Sequence, residues 1–225
     1  MKKIHTIPAL LTTAVLALPA AMAAELPKSA TLEYSGNLKI PATMNFIRTG
    51  NSYKIVSTIK VPLYHIRFES AGTISGNTLQ PEYYKETRNG KLYTDVKFNG
   101  NNITYGKVGN KKSQTVSGTT MDLFTLAWQL AANDAKLPNN LNVTNGKKIY
   151  AVNNMTNAGT SGYKFSGGTT PVTKYVIHRG DNTINYSFAT ELNNIPAQIV
   201  YKEDDGKSYN LRLTRLTIDG KTVKP

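Results

Sequence analysis

The chain contains no cysteine among its 225 residues. Without a thiol it can form no disulfide bond, and no cysteine is present that could accept a lipid after export. A chain of this length can bury an ordinary hydrophobic core. We therefore expect a fold that is held together by side-chain packing and a protein that is not lipid-anchored.

Histidine is scarce, with three residues in the whole chain. His65 and His178 lie on strand-like runs without an acidic residue at ligand spacing, so we expect no metal site. Two Ser-x-x-Lys matches, at 57–60 and 161–164, fall in strand or loop context, whereas the acyl-enzyme chemistry of that motif needs its serine at the start of a helix. We identify no catalytic residue and no cofactor site, and the sequence favours a protein that is not an enzyme.

Acidic residues are few, since 14 Asp and Glu stand against 27 Lys and Arg. The excess positive charge favours acidic partners such as anionic lipid headgroups, lipopolysaccharide or acidic glycans. Alternatively, the charge only keeps the protein soluble. The basic residues are scattered, apart from the pairs Lys111-Lys112 and Lys147-Lys148, and no polybasic arm is present, so nucleic acid is not an expected partner.

No apolar run is long enough to span a bilayer, which takes about 20 residues. The first residues, MKKIHTIPALLTTAVLALPAAMA, instead have the three parts of a secretion signal: basic Lys2 and Lys3, an apolar run from Ile7 to Leu18, and a small-x-small site at 21–23. We expect residues 1–23 to be cleaved after Ala23. The remainder, 24–225, is then expected to be a single β-rich domain in the periplasm.

Most of the remaining chain alternates apolar and polar residues in short segments separated by Gly and Asn, which is typical of antiparallel hairpins. Residues 31–117 form the first predicted meander and residues 147–220 the second. Pro62 cannot donate a ladder hydrogen bond, so its run is predicted to be an edge strand or a bend. Asp205-Gly206 is the clearest hairpin turn of the second meander.

One helix is expected between the meanders, at TTMDLFTLAWQLAAND (119–134), with its helical part at about 120–133. Thr119 or Thr120 can cap its first turn, and Pro138 prevents its continuation. Its three polar residues form a stripe only about 60° wide, which we expect to be the exposed face. They are Asp122, Thr125 and Gln129.

The predicted fold is therefore mainly β: a strongly curved antiparallel sheet or incomplete β-barrel, made of two meanders wrapped around one central α-helix. Such a helix serves simply as a core, or it also lines a cavity for an apolar ligand. For the second case the candidate ligand-binding residues are Phe124, Trp128, Tyr64 and Phe68.

The order of these segments resembles a known family. The runs LEYSGNLKIPATMNF, LQPEYYKETRNGKLYTDVKF, MDLFTLAWQLA, YKFSGGTTPVTKYVI and NNIPAQIVYKEDDGKSYNLRL are similar to the exported bacterial family DUF3108, a domain of unknown function, over about 31–218. The resemblance implies a compartment and a fold but no catalytic residues. A looser, fold-level analogy is to the periplasmic lipoprotein carriers, in which helices cover the apolar cavity of an unclosed β-barrel, although this sequence has one evident helix where those have more.

Together these features lead us to expect a soluble periplasmic protein that binds or carries an apolar or lipidic envelope ligand without catalysis. The alternative is a structural or assembly factor of the envelope that binds a protein or an anionic glycan through a basic sheet face.

Overall fold

The computed structural model describes residues 26–180, 182–202, 206 and 208–224. The predicted signal peptide, 1–23, lies outside the described residues. So does Asp205 of the predicted Asp205-Gly206 turn, whereas the two strands that flank this turn are described.

Sixteen strands and one α-helix are formed by the described residues. The strands before the helix are β1 (Ser29–Ser35), β2 (Pro41–Thr49), β3 (Ser52–Val61), β4 (Tyr64–Ser75), β5 (Thr78–Arg88), β6 (Lys91–Asn99), β7 (Asn102–Lys107), β8 (Asn110–Thr115) and β9 (Thr120–Asp122). The helix α1 spans Leu123–Ala132. The strands after it are β10 (Asn142–Thr144), β11 (Ile149–Phe165), β12 (Gly168–Arg179), β13 (Asn182–Ala189), β14 (Ile195–Lys202), β15 (Ser208–Ile218) and β16 (Lys221–Val223).

The strands form because alternating side chains face a common interior. In β3, Tyr53, Ile55 and Ser57 are buried, while Lys54 between the first two points outward and is exposed. The Asn89-Gly90 turn between β5 and β6 has positive φ at both residues, the conformation that tight hairpins require. The local sequence pattern is thus sufficient to define these hairpins.

All sixteen strands belong to one sheet, in the order β8-β7-β6-β5-β4-β3-β2-β1-β15-β14-β13-β12-β11-β10-β9, with β16 paired to β15. The antiparallel β1–β15 ladder joins the first half of the chain to the second. The two ends of this order, β8 and β9, are not paired with each other. The prediction of a mainly β fold with an unclosed sheet and one short helix is confirmed.

Two local features complete the sheet. Between the helix and the second predicted meander, Asn142–Thr144 forms β10, which pairs in parallel with β9. Pro62 lies in the turn between β3 and β4, and both strands are paired on each side. Of the two interpretations of Pro62, the structure therefore has the bend and not the edge strand.

The start of the helix also differs from the prediction. Thr120 belongs to β9, and the N-cap is Asp122, whose carboxylate accepts hydrogen bonds from the backbone N–H groups of Phe124 (2.9 Å) and Thr125 (3.1 Å). A threonine cap was expected because its hydroxyl suits that position. The pairing of β9 with β10 holds Thr120 extended and moves the start of the helix beyond it.

The expected exposure of the polar stripe is wrong, because Asp122, Thr125 and Gln129 are all buried. Gln129 accepts a hydrogen bond from the backbone N–H of Leu79 (2.7 Å) and donates one to the carbonyl of Asn77 (3.0 Å). These backbone groups belong to the β4–β5 turn region, and a buried backbone group needs a partner. The polar stripe is therefore the side of α1 that binds the first half of the sheet.

The carboxylate of Asp122 extends this connection. It accepts a hydrogen bond from the hydroxyl of Ser70 on β4 (2.7 Å) and one from the hydroxyl of Thr125 (2.7 Å), which lies 3.2 Å from the hydroxyl of Tyr53 on β3. On the opposite side of the helix start, the Tyr186 hydroxyl of β13 donates to the carbonyl of Leu123 (2.8 Å). The start of α1 is thus hydrogen-bonded to strands from both halves of the sheet.

No helix within the described ranges has the length and apolar character needed to cross a lipid bilayer.

Replacement Asp122→Ala should lower the free energy of unfolding by about 2–4 kcal/mol, because it removes the helix cap and leaves the Ser70 hydroxyl buried without an acceptor. Chemical denaturation measures the change. Asp134→Asn is the control, since it removes a carboxylate that is not buried, just beyond the other end of α1. Equal losses in the two variants would contradict the role given to Asp122.

The stability contributed by Asp122 should also depend on pH. Burial raises the pKa of its carboxyl above the ordinary 3.8, although hydrogen bonds from Thr125, Ser70 and Phe124 oppose the shift. The folded state then binds the proton more tightly than the unfolded state, so this contribution is fully present below the unfolded pKa and is lost as pH rises through the folded pKa. Denaturation of the wild type and of Asp122→Ser between about pH 3.5 and pH 7 should show the stability difference falling with rising pH, and a rising difference would refute the shift.

Candidate functional site

An apolar cleft opens between the two halves of the sheet at the N-terminal end of α1. One wall belongs to β3, β4 and β5, the other to β14 and β15, and the first residues of α1 form its floor. The apolar side chains of the first wall are Ile59, Ile66, Phe68 and Tyr84, and those of the second wall are Ile199, Tyr201, Tyr209 and Leu211. Leu123 and Phe124 belong to the floor.

The cleft is narrow. Its cavity volume is about 70 Å³. A second cavity of about 150 Å³ shares Ile59 and Ile66 with one wall and continues to the turn between β1 and β2. The two cavities are neighbours with shared lining residues, and the name cleft covers both of them.

Three aromatic rings form the inner part of the cleft. The ring centroids of Phe68 and Phe124 are 5.1 Å apart, and Tyr84 lies 6.3 Å from Phe68 and 6.5 Å from Phe124. Phe124 is only half-buried, although α1 is otherwise almost completely enclosed. An apolar ligand in the cleft would therefore meet aromatic surface that solvent now reaches in part.

A charged pair and an amide provide the polar groups of the cleft. The Arg88 guanidinium binds the carboxylate of Glu86 at 2.5 Å and lies 3.5 Å from the ring centroid of Tyr93. Burial disfavours the charged guanidinium, but the hydrogen bond and the negative charge of Glu86 outweigh it, and the pKa of Arg88 is raised. Asn145 donates a hydrogen bond to the Tyr201 hydroxyl (3.1 Å), and so connects the loop after β10 to the second wall.

Close packing holds that loop against the first wall. The Asn145 side chain accepts hydrogen bonds from the backbone N–H groups of Lys147 and Lys148, each at 3.0 Å. Gly146 has φ +85°, and a Cβ atom there would be 2.7 Å from the Thr94 hydroxyl and 2.8 Å from the ring of Tyr84. Glycine is therefore required both by the backbone conformation and by the close approach.

The four residues that the sequence suggested as ligand-binding do not all lie in the cleft. Phe124 and Phe68 lie together in the cleft. Trp128 is fully buried, stacked on Phe46 at a centroid distance of 4.3 Å, and its indole N–H points to the sulfur of Met44 (3.3 Å). Tyr64 is the first residue of β4 and lies outside the lining of the cleft.

Several residues of the cleft were not predicted from the sequence: Glu86, Arg88, Asn145 and the whole second wall. Alternation could have placed Ile199 with Tyr201 on one face of its strand, and Tyr209 with Leu211 on one face of the next. No local signal indicates that these faces oppose β3 and β4, because that arrangement depends on the pairing of β1 with β15.

The other chemical candidates remain apart. Within the described ranges no three His, Cys, Asp or Glu side chains come together as a metal site would require. Ser57 and Ser161 lie on β3 and β11, not at a helix start. A further cavity of about 220 Å³ lies near the C-terminal end of α1, where its lining mixes polar and apolar side chains: Asp134, Ala135, Tyr175, Phe188, Thr190 and Asn194.

Comparison with known proteins identifies the family. The family model described as "Protein of unknown function (DUF3108)" matches residues 31–214, so the chain belongs to this family. The resemblance noted from the sequence is thereby confirmed. No curated protein and no solved structure matches the chain.

Replacement Gly146→Ala tests the packing of the loop against the cleft wall. It should destabilise the protein by about 1–3 kcal/mol more than Gly167→Ala, because both glycines have positive φ but a Cβ at Gly167 would meet nothing within 4 Å. Chemical denaturation of the two variants gives the difference directly. Equal destabilisation would mean that the loop can shift to accommodate the added methyl group and does not pack rigidly against the cleft wall.

Proposed function

We propose that this member of family DUF3108 is a non-catalytic periplasmic protein that binds or carries an apolar envelope ligand, with one acyl chain of a lipid held in the cleft. The apolar cleft over the half-buried Phe124 is the observation that carries the proposal. In this proposal the curved sheet wraps around α1 and leaves the cleft as the opening to its interior. Placement in the periplasm follows from the secretion signal expected in the sequence.

The shape of the cleft supports a thin ligand. Its free volume is small, and the neighbouring cavity shares Ile59 and Ile66 with it, so a ligand that occupied both would have to be thin and extended. An acyl chain has this shape and gains about 0.8 kcal/mol for each methylene that it buries. A bulky rigid ligand would require the two walls to separate.

The polar groups of the cleft support an amphipathic ligand rather than a pure hydrocarbon. Arg88 is partly exposed, with 30% of its side chain accessible, and its charge can attract an anionic headgroup. Glu86 neutralises part of that charge, so the attraction is moderate. Binding energy would come mainly from the apolar walls.

The variant Ile199→Trp tests the proposal by filling the cleft from the second wall. Wild-type protein should take up a monomeric fluorescent fatty acid, and the filled variant should bind it at least about tenfold more weakly because the indole occupies the space of the chain. Native mass spectrometry of gently purified protein should show retained lipid in the wild type only.

The control is Val200→Trp, which adds the same ring to the next residue of β14, on the opposite face of the strand. Circular dichroism and thermal unfolding establish that both variants are folded. A wild type that never takes up the fatty acid, or equal losses in the two variants, would refute the proposal. Salt-sensitive binding to an anionic glycan without lipid uptake would favour an envelope assembly factor instead.

A further inference from the structure

Exposed apolar side chains concentrate at one end of the sheet. Antiparallel strands place alternate turns at opposite ends, so the turns β1–β2, β3–β4, β5–β6 and β7–β8 share one end, where the cleft opens beside Ile40 and Val61. Among the described residues, the large apolar side chains that are exposed are Leu38, Ile47, Leu63, Leu92 and Val108. Four of these five lie on or next to the four turns, and only Ile47 lies near the other end.

Leu38 and Leu63 are the most exposed of these side chains, at 94% and 97%. Both have positive φ, 54° and 60°. A bulky residue in this region is uncommon, whereas asparagine and glycine adopt it readily. The fold itself gains little contact from these leucines, so their presence on two turn tips calls for a partner outside the chain.

The turns belong to neighbouring hairpins of the sheet. The β1–β2 and β3–β4 turns are about 10 Å apart, given two strand spacings of about 4.8 Å. The next turn along, β5–β6, is tied to the β3–β4 turn because Asn89 accepts a hydrogen bond from the backbone N–H of His65 (2.8 Å) and donates one to the carbonyl of Leu63 (3.5 Å). The apolar tips thus form one row, which we call the apolar rim: Leu38, Leu63, Leu92 and Val108.

The charged residues of the turn segments in the apolar rim are basic, and two of them are paired with acidic residues of the neighbouring strands, Arg88 with Glu86 and Lys111 with Asp95. The segments 36–41, 60–65, 88–92 and 107–112 contain no Asp or Glu. Their basic residues are Lys39, Lys60, Arg88, Lys91, Lys107, Lys111 and Lys112. The β1–β2 turn also adjoins the start of β15, where Asn37 donates a hydrogen bond to the carbonyl of Ser208 (2.5 Å). The acidic residues 203–205, which precede β15 in the sequence, lie outside the described residues. Apolar tips among cations suit the interface of an anionic bilayer.

We propose that the apolar rim docks onto the surface of an anionic lipid bilayer, with Leu38 and Leu63 inserted among the lipids and the surrounding lysines at the headgroups. This inference deepens the proposed function and rests on it for the identity of the ligand, since docking would bring the mouth of the cleft to the lipid. Separate apolar tips on four turns match a fluid surface better than a protein partner, which would need one continuous packed patch.

Co-sedimentation with vesicles tests the docking. Protein that lacks the predicted signal, residues 24–225, should bind vesicles that contain phosphatidylglycerol and bind pure phosphatidylcholine vesicles much more weakly. The double variant Leu38→Asn/Leu63→Asn should lose about tenfold or more in apparent affinity, because two leucines no longer leave water. Asparagine suits positive φ, so the variant should fold at least as stably as the wild type.

The matched control is Ile47→Thr, which removes an exposed apolar side chain near the opposite end and should change vesicle binding by less than about twofold. The variant Lys39→Gln/Lys60→Gln should weaken binding and reduce its dependence on salt. Absence of binding to phosphatidylglycerol vesicles, or equal binding by the wild type and the leucine variant, would overturn the proposal. So would a leucine variant that changes only self-association in sedimentation velocity, because the rim would then bind a second copy.

A separate readout distinguishes this inference from the proposed function. The leucine variant should still take up a monomeric fluorescent fatty acid in the absence of vesicles, since neither leucine lines the cleft. Vesicle binding without fatty-acid uptake would support the docking surface and refute the cleft as the ligand site. Fatty-acid uptake without vesicle binding would support the cleft and refute the docking surface.

Discussion

The buried carboxylate of Asp122 is the group on which the arrangement of this fold depends most. It ends β9, caps α1 and binds the Ser70 hydroxyl of β4, so one side chain fixes where the chain turns from strand to helix and against which strand the helix packs. Its burial costs free energy, which the surrounding donors offset in part. A side chain without an acceptor oxygen there would leave several of these donors unpaired.

The position of the cleft follows from this anchor. Because Asp122 holds the first turn of α1, Phe124 comes to lie beside Phe68 and Tyr84 at the opening between the two halves of the sheet. Trp128 lies one helical turn further in, about 6 Å along the axis, and there it packs on Phe46 as part of the core. One helix thereby contributes both the floor of the cleft and part of the core.

Local patterns in the sequence predicted the hairpins, the single helix and the family, because turn chemistry and periodicity are properties of neighbouring residues. They did not predict that Gln129 would be buried, since its partners at Asn77 and Leu79 are about 50 residues away. The hydrogen-bonding groups of a narrow polar stripe can be satisfied by water or by unpaired backbone groups of the sheet. A helical wheel cannot distinguish these two cases. The second wall of the cleft was missed for the same reason, because Ile199 and Tyr201 oppose β4 only through the β1–β15 ladder.

At the end of the sheet where the cleft opens, two leucines combine an unfavourable backbone conformation with an exposed apolar side chain. Asparagine at Leu63 would relieve the unfavourable backbone and remove an exposed apolar side chain, so stability alone does not explain leucine there. The same holds for Leu38, on the turn that borders the second part of the cleft. If the protein takes an acyl chain from a bilayer, as we propose, these costs have a function, because tips in the lipid surface would hold the opening of the cleft against it. The cations beside them would oppose release of the protein from the surface.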